Sequence, residues 1–407
     1  MERVPVVVVG AGQAGLAVSS ELSQAGTEHV VLERGRVGQS WRDRWDSFCL
    51  VTPNWAIGLP RGSYDGDDPD GFMQRDEIAA FLERYAAGFG APVREGVHVT
   101  GLDEGFVLHT SAGDLGADAV VAATGAYQRS YRPAVAETLP PELLQIDATG
   151  YRNERDLPSG AVLVVGNGQS GSQIAEELHE AGREVVLSCG KAGWLPRRFG
   201  GHDLMWWLQA TGHLDATVES LPDPSARLAA NVVASGHGGG HDLHLRTLQA
   251  QGVTLAGRFL GASGQEARFA PDLAESVAWG DERYGLIRGL AEKVVAEQGL
   301  ESSGLTDPEP FDADPPESVD LTRFGAVIFA GGFRPDYGTW IPWRDAFDDL
   351  GFPIHEDGAS TVVPGLFFLG THFLRKRKSS LLIGVGEDAQ VVAAQVAENA
   401  AARASVR

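Results

Sequence analysis

The sequence predicts an α/β fold built from two Rossmann-like domains, on three observations. The chain opens on VPVVVVGAGQAGLAVSSELSQAGTEHVVLER, Val4 to Arg34. A second stretch of the same design, AVLVVGNGQSGSQIA, runs from Ala161 to Ala175. Short apolar runs at Ala119–Ala123, Phe324–Ala330 and Leu366–Leu369 each close on small residues.

The first stretch divides into parts with separate physical roles. Val6–Val9 is a β-branched run of the kind that forms a buried parallel strand. Gly10 permits the tight turn, Gly12 lets backbone approach a pyrophosphate, and Gly15 lets the following helix lie close to the strand. Gln13 and Ala14 complete the turn, and Leu16–Leu22 continues as helix. That helix offers free N–H groups and a positive dipole end to phosphate. His29–Leu32 is the next strand, and Glu33 at its end can accept both ribose hydroxyls of an adenosine. Strand, turn, helix, strand and acid together define a dinucleotide site.

Arg34 to Trp45 follows, rich in arginine and holding Trp41 and Trp45. Such a loop can lie across the pyrophosphate and ring of a flavin, which makes Arg34, Gln39, Ser40 and Trp41 candidate contacts. The alternative is a basic surface loop with two core anchors. Asp46–Pro60 is irregular, Tyr64–Gly71 is acidic and turn-rich, and Asp76–Gly88 is an amphipathic helix. Strands are expected at His98–Leu102, Gly105–Thr110 and Ala119–Ala123. The last ends in Ala123-Thr124-Gly125, small enough to pass beside the cofactor. Leu139–Leu157 reads as a polar crossover.

In the second fingerprint Gly166, Asn167, Gly168 and Gly171 repeat the turn, and the helix from Ser170 to Ala181 stops at Gly182. Here no acid ends the following strand, Val185–Leu187. Ser188, Lys191, Arg197 and Arg198 would instead admit a 2′-phosphate, so NADPH is expected over NADH. A plain turn with surface cations is the alternative. His237, His241 and His244 stand close together, but no cysteine or carboxylate pattern makes them a metal site. Asp281–Gln298 should be helical and Glu301–Asp320 a linker, and the two remaining strands end at Gly331 and Gly370. Arg375–Lys378 is either a local phosphate clamp or a solvated loop. A final helix is expected over Asp388–Ala402. The domain bounds follow as 1–155, 156–322 and 323–407.

Composition limits the partners. At 407 residues with 43% hydrophobic and 22% charged, the chain is an ordinary globular protein large enough for two domains. A net charge of −22 argues against a nucleic-acid or anionic-membrane partner. No apolar run spans a bilayer, no signal peptide is read, and Cys49 and Cys189 form no CxxC, so a cytoplasmic location is expected.

The GAGQAG turn, LERGRVGQSWRDRWD, VVAATGAYQ, VVGNGQSGSQIA, LPRRF, FAGGFRPD and SLLIGVGEDA together resemble the flavin-containing monooxygenase group. The likeness covers nearly the whole chain and is closest to bacterial members and plant YUCCA-type enzymes that oxidise indole pyruvate. It implies a glutathione-reductase-like architecture, an FAD domain built from both chain ends with an NADPH domain inserted. It implies an NADPH-dependent monooxygenase that oxygenates a small apolar or aromatic substrate at N, S or activated C through a C4a-hydroperoxyflavin, with O2 as co-substrate. It places Thr52, Asn54, Val99, Leu381 and Leu382 at the flavin, and Gln169, Ser170 and the Gly331 backbone at the nicotinamide. Asn54, Gln169 and Ser170 are the catalytic candidates. In the group's FxGxxxHxxxY stretch Tyr151 is kept, while Pro141, Leu143 and Asp147 replace the other three positions. A flavin dehydrogenase or reductase, and a redox-sensing binding protein without turnover, are the competing readings. A homodimer is left open.

Overall fold

The structure, a computed structural model, describes residues 1–229 and 231–404. Strand β1 (Glu2–Val9) runs through the middle of the first sheet, with Val6, Val7 and Val8 fully buried. It is parallel to β2 (His29–Glu33), and pairing begins at Val6, just past Pro5, which has no N–H to give. Helix α1 (Gln13–Gln24) makes the crossover. Helix α2 (Arg75–Gly88) leads to β3 (Val93–Glu95) beside β2. It starts at a capping box in which Glu77 accepts the Gln74 N–H. An antiparallel arm, β4 (Val99–Asp103) and β5 (Val107–Thr110), brings the chain to β6 (Leu115–Ala122), parallel to β1 on its other side.

The second sheet begins earlier than the sequence suggests. The expected crossover Leu139–Leu157 contains a strand, β7 (Leu144–Asp147). Then come β8 (Ala161–Val165), α3 (Gln169–Glu180) and β9 (Val185–Ser188). An excursion follows with α4 (Leu204–Ala210) and α5 (Leu245–Gln251) before β10 (Thr254–Ala256). A small antiparallel sheet contains β11 (Phe259–Ser263), β12 (Glu266–Phe269) and β13 (Ser318–Asp320). Helix α6 (Leu273–Gln298) starts eight residues ahead of the expected Asp281. Strand β14 (Phe324–Phe329) then enters the second sheet, whose order is β10-β9-β8-β14-β7, all parallel.

Both expected domain bounds therefore move. Strand β7 precedes residue 156 and β14 follows residue 322, yet each lies in the second sheet. The apolar run FGAVIF announces a strand buried on both faces but not which sheet receives it. The chain returns to the first sheet only afterwards, through β15 (His355–Glu356), β16 (Ala359–Ser360) and β17 (Leu366–Phe368). Strand β17 pairs in parallel with β6. Helix α7 (Val385–Ala404) packs back against α1, so the two chain ends share one layer. Among the described residues no helix is long and apolar enough to cross a membrane.

Candidate dinucleotide and active site

The two fingerprint turns are built to the same plan. Gly10 and Gly166 hold φ of +106° and +108°, a region open to glycine. A Cβ on Gly15 would lie 1.8 Å from the Gly10 carbonyl oxygen, and one on Gly171 would lie 1.8 Å from that of Gly166. Each helix therefore touches its strand through bare backbone. Gly12 and Gly168 precede the helices in extended conformation, and no side chain caps either end. These uncapped N–H groups, with nothing nearer than Ser40 Oγ at 3.8 Å to a Cβ on Gly12, fit a pyrophosphate.

The small-residue linkers lie against these turns. A Cβ on Gly10 would meet the Ala123 carbonyl oxygen at 2.7 Å, and one on Gly166 that of Ala330 at 2.6 Å. Ala123-Thr124-Gly125 and Ala330-Gly331 are thus equivalent passages, one per sheet. Gly370, at φ +78°, brings Gly370-Thr371-His372 over α1, where its Cβ would be 2.5 Å from Ala14 Cβ.

The ribose ends differ. Glu33 is buried at the end of β2, where it accepts the N–H of Ala11 at 2.8 Å and of Gly35 at 2.9 Å. Each oxygen keeps a further lone pair. At the second site Ser188 is buried. Its hydroxyl donates to the Gly257 carbonyl and accepts the Phe259 N–H, so it braces the next connection and is not a phosphate ligand. Arg197 is also withdrawn. It pairs through two nitrogens with Asp203, donates to the Val51 carbonyl at 2.8 Å, and lies 4.5 Å over the Phe72 ring. Arg198 donates to the carbonyls of Gly239 and Gly240. Lys191 is exposed and, among the described residues, has no partner. Asn167 accepts the Gly190 N–H at 2.7 Å and so fixes that turn beside Lys191.

The arginine-rich loop is divided between the two readings. Gln39–Arg42 forms one helical turn, opened by Gly38 at φ +72°. Trp41 Nε1 donates to Gln13 Oε1 at 3.0 Å, and Gln13 Nε2 donates to the Ser380 carbonyl at 3.3 Å, joining loop, fingerprint and C-terminal segment. Gln39 does not reach the site. Its amide takes the Arg36 N–H and donates to Asp43, closing the loop on itself. Arg34 points to solvent, and Trp45 is a core anchor edge-on to Phe48.

The catalytic candidates fare less well. Asn54 is buried, but its amide donates to the Asp68 carbonyl and accepts the Met73 N–H, both at 2.9 Å, pinning the turn between. Gln169 is clamped to the backbone of Ala234 through both amide atoms, at 2.5 and 3.2 Å. Ser170 is half-buried with no bond among the described residues. Thr52 is half-buried, Val99 opens β4 against Thr110, and Leu381 precedes Leu382, whose carbonyl accepts the Gly58 N–H. Three of the four residues in the basic run are spent on ion pairs. Lys376 and Lys378 pair with Asp215 and Glu387, and Arg375 pairs with Asp357. Asp147 pairs with Arg132 at 2.6 Å, and Tyr151 donates to Glu177.

The sequence missed a cluster of Arg44, Tyr127 and His372. Tyr127 exposes 45% of its surface, and desolvation raises its phenol. Arg44 lies 5.3 Å over its ring, and His372 stands edge-on to it at 5.3 Å. Burial pushes His372 down to about 4, so it is a neutral ring, with Nδ1 3.1 Å from Ser380 Oγ. The signal was the position of Tyr127, three residues beyond Thr124 in the small-residue linker.

A mixed sheet with a parallel core and an all-parallel sheet inserted in its sequence, each carrying a glycine turn at a free helix end, define an oxidoreductase of the two-dinucleotide class. The model of the pyridine nucleotide-disulphide oxidoreductase family matches residues 7–211, and the chain belongs to that family. It is 34% identical, over 95% of its length and 96% of the relative's, to an uncharacterised CzcO-like oxidoreductase of Geobacillus kaustophilus. Indole-3-pyruvate monooxygenase YUCCA4 of Oryza sativa subsp. japonica is 33% identical over 50% of this chain and 52% of its own. The fold is that of a flavin-containing monooxygenase from Stenotrophomonas maltophilia. The TM-score is 0.69 at 20% identity, covering 98% of this chain and 99% of the other.

Proposed function

We propose that the protein is an FAD- and NADPH-dependent monooxygenase that inserts one oxygen atom of O2 into a small apolar or aromatic substrate at N, S or activated C. The observation that carries this is the paired turns without a dithiol. Cys49 and Cys189 are both buried as free thiols, and burial pushes Cys49 up to about 11 and Cys189 higher, so neither offers a ready thiolate for disulfide exchange. FAD held at the first turn would supply the redox chemistry that links nicotinamide to oxygen. The balance is substrate, O2, NADPH and a proton giving oxygenated substrate, water and NADP+.

The chain's own contribution is binding, orientation and exclusion of water. The α1 end and Gly12 hold the FAD pyrophosphate and Glu33 its ribose, with Gln13, Trp41 and Ser380 tied alongside. The α3 end holds the NADPH pyrophosphate, and Lys191 takes the 2′-phosphate. Tyr127 and His372, both kept neutral and edge-on to one another, add hydrogen-bonding groups without adding charge. The cytoplasm suits two unpaired cysteines.

A second reading, a flavin reductase using an organic acceptor, is favoured by Asp147, tied to Arg132 where the resembled group has histidine. The test is turnover under 18O2 with NADPH and a panel of amines, sulfides, indoles and 2-oxo acids. Label in a product is expected. NADPH consumption that yields only hydrogen peroxide with every compound, alongside turnover of a quinone, would establish the reductase.

A further inference from the structure

Arg44 carries a charge for which the described residues supply no partner. It stands two residues beyond the helical turn Gln39–Arg42, and its backbone is fixed there. Its N–H donates to the Trp41 carbonyl at 3.0 Å, and its own carbonyl accepts from Arg75 at 3.3 Å. Its side chain makes no hydrogen bond or ion pair among the described residues, and its Nε is buried. The arginines of neighbouring segments differ. Arg36 and Arg42 hold Glu83, Arg61 reaches Glu21, and Arg75 holds Asp46. Burial lowers Arg44, opposed by Tyr127 and Asp43, and the Asp43 carboxylate already accepts from Gln39 at 2.9 Å. Buried charges in folded proteins are paired or hydrogen-bonded, so this guanidinium calls for an anion from outside the chain.

Its neighbours show where that anion belongs. The guanidinium carbon lies 5.3 Å over the Tyr127 ring and 5.8 Å over that of Phe48, which orient its plane. Tyr127 meets Phe333 at 5.1 Å and His372 at 5.3 Å, both edge-on, yet keeps 45% of its surface exposed. Gln128 fixes the linker that presents it. The Gln128 amide donates to Thr124 Oγ1 at 2.8 Å and to the Gly125 carbonyl at 2.9 Å, and it accepts the Asp336 N–H. The Tyr127 hydroxyl and His372 Nε2 also lack partners among the described residues, so three polar groups from three chain segments meet at one ring. Tyr127 and His372 follow the carboxyl ends of β6 and β17 by five and four residues, and both strands lie on the side of β1 away from β2.

We propose that Arg44 contacts the flavin of bound FAD and holds the negative charge the ring acquires on reduction, with the Tyr127 hydroxyl beside it. This rests on FAD occupying the first turn as proposed above, and it applies to either electron acceptor. With adenosine at Glu33 on β2 and diphosphate at the α1 end, the flavin half of FAD falls to the β6 side. A hydride brings two electrons and one proton from NADPH to the ring, releases NADP+ and leaves the ring one unit more negative. A guanidinium at that edge favours the reduced ring over the oxidised one with no further proton supplied. A contact to the diphosphate would favour both forms alike.

The test measures two quantities on the FAD-loaded protein. One is the midpoint potential of the bound flavin, by equilibration with xanthine, xanthine oxidase and a reference dye. The other is the dissociation constant of oxidised FAD. Arg44→Met should weaken binding of the reduced form at least ten-fold relative to the oxidised form, a fall of about 30 mV or more for a two-electron couple. Affinity for oxidised FAD should change less than three-fold, and Arg44→Lys, which keeps the charge, should recover at least half of the shift. An unchanged potential would overturn the assignment. So would equal weakening of both forms, the mark of a diphosphate contact, or a fall in potential that Arg44→Lys shares in full. Should Arg44→Met fail to fold, Arg44→Gln decides on the same thresholds. An unaltered protein that holds no FAD would overturn the proposed reaction as well. An unchanged potential with 18O still entering a product would overturn this assignment alone.

Discussion

A guanidinium with 1% of its surface exposed is already committed to its neighbours. Arg197 spends its nitrogens on Asp203 and Val51, so Arg197→Ala should leave a buried carboxylate alone and cost about 3–5 kcal/mol of stability. Its effect on the apparent constants for NADPH and NADH should be equal. Lys191→Ala should leave stability within about 0.5 kcal/mol and raise the NADPH constant alone, which steady-state kinetics with both coenzymes will separate. Histidines give a second prediction. His213, His244 and His372 are each pushed down to about 4, chiefly by burial. Their folded values lie below the unfolded one near 6.5, so the stability they hold is complete above pH 6.5 and is lost as pH falls towards 4. Each contributes a slope of up to about 1.4 kcal/mol per pH unit. His241 runs the other way, raised by its bond to Glu176. Its contribution is present below pH 6.5 and fades as pH rises through its folded value. Thermal midpoints measured from pH 8 to 4 should therefore fall steeply between 6.5 and 4, and His372→Phe should reduce that slope.

Glycine placement carries the two binding turns, and it allows them to be tested apart. Gly15→Ala puts a methyl 1.8 Å from the Gly10 oxygen and should yield protein without FAD. Gly171→Ala makes the same clash with Gly166 and should yield protein that keeps FAD but is not reduced by NADPH. Flavin absorbance and anaerobic reduction distinguish the outcomes. These elements were legible in the sequence because a turn at positive φ and a close helix–strand approach leave no residue but glycine. Glu33 was legible for the same reason, standing at a fixed distance from the turn. What could not be read was anything decided by a distant partner. Arg197 looks like a phosphate ligand until Asp203 and Val51 claim it, and Gln169 looks catalytic until Ala234 does. Strand β7 was hidden because LQID is polar on an edge strand, and the Arg375–Lys378 run finds its acids at Asp215 and Glu387.

Hydride transfer between two sheets requires that they keep one alignment, and Phe72 is placed to hold it. Its ring sits under Arg197 and against Gly236 and Gly240, where a Cβ would come within 2.7 and 2.6 Å of it. The glycine-rich loop is thus a seat for an aromatic from the other sheet. Phe72→Ala should keep FAD bound but slow flavin reduction by up to about a hundred-fold in anaerobic stopped flow, the cost of a small misplacement. The order of strands in the first sheet bears on how the protein is made. Strand β6 is finished at Ala122, but its outer neighbour β17 starts only at Leu366, roughly 240 residues later. At 5–20 residues per second a ribosome needs about 12–50 s to supply it. For that interval a fully buried strand presents an open row of N–H and C=O groups, the kind of edge that recruits other chains. A chain stopped at residue 350 should therefore aggregate even though its second sheet is complete, and newly synthesised protein should lean on chaperones until the last strand closes the edge.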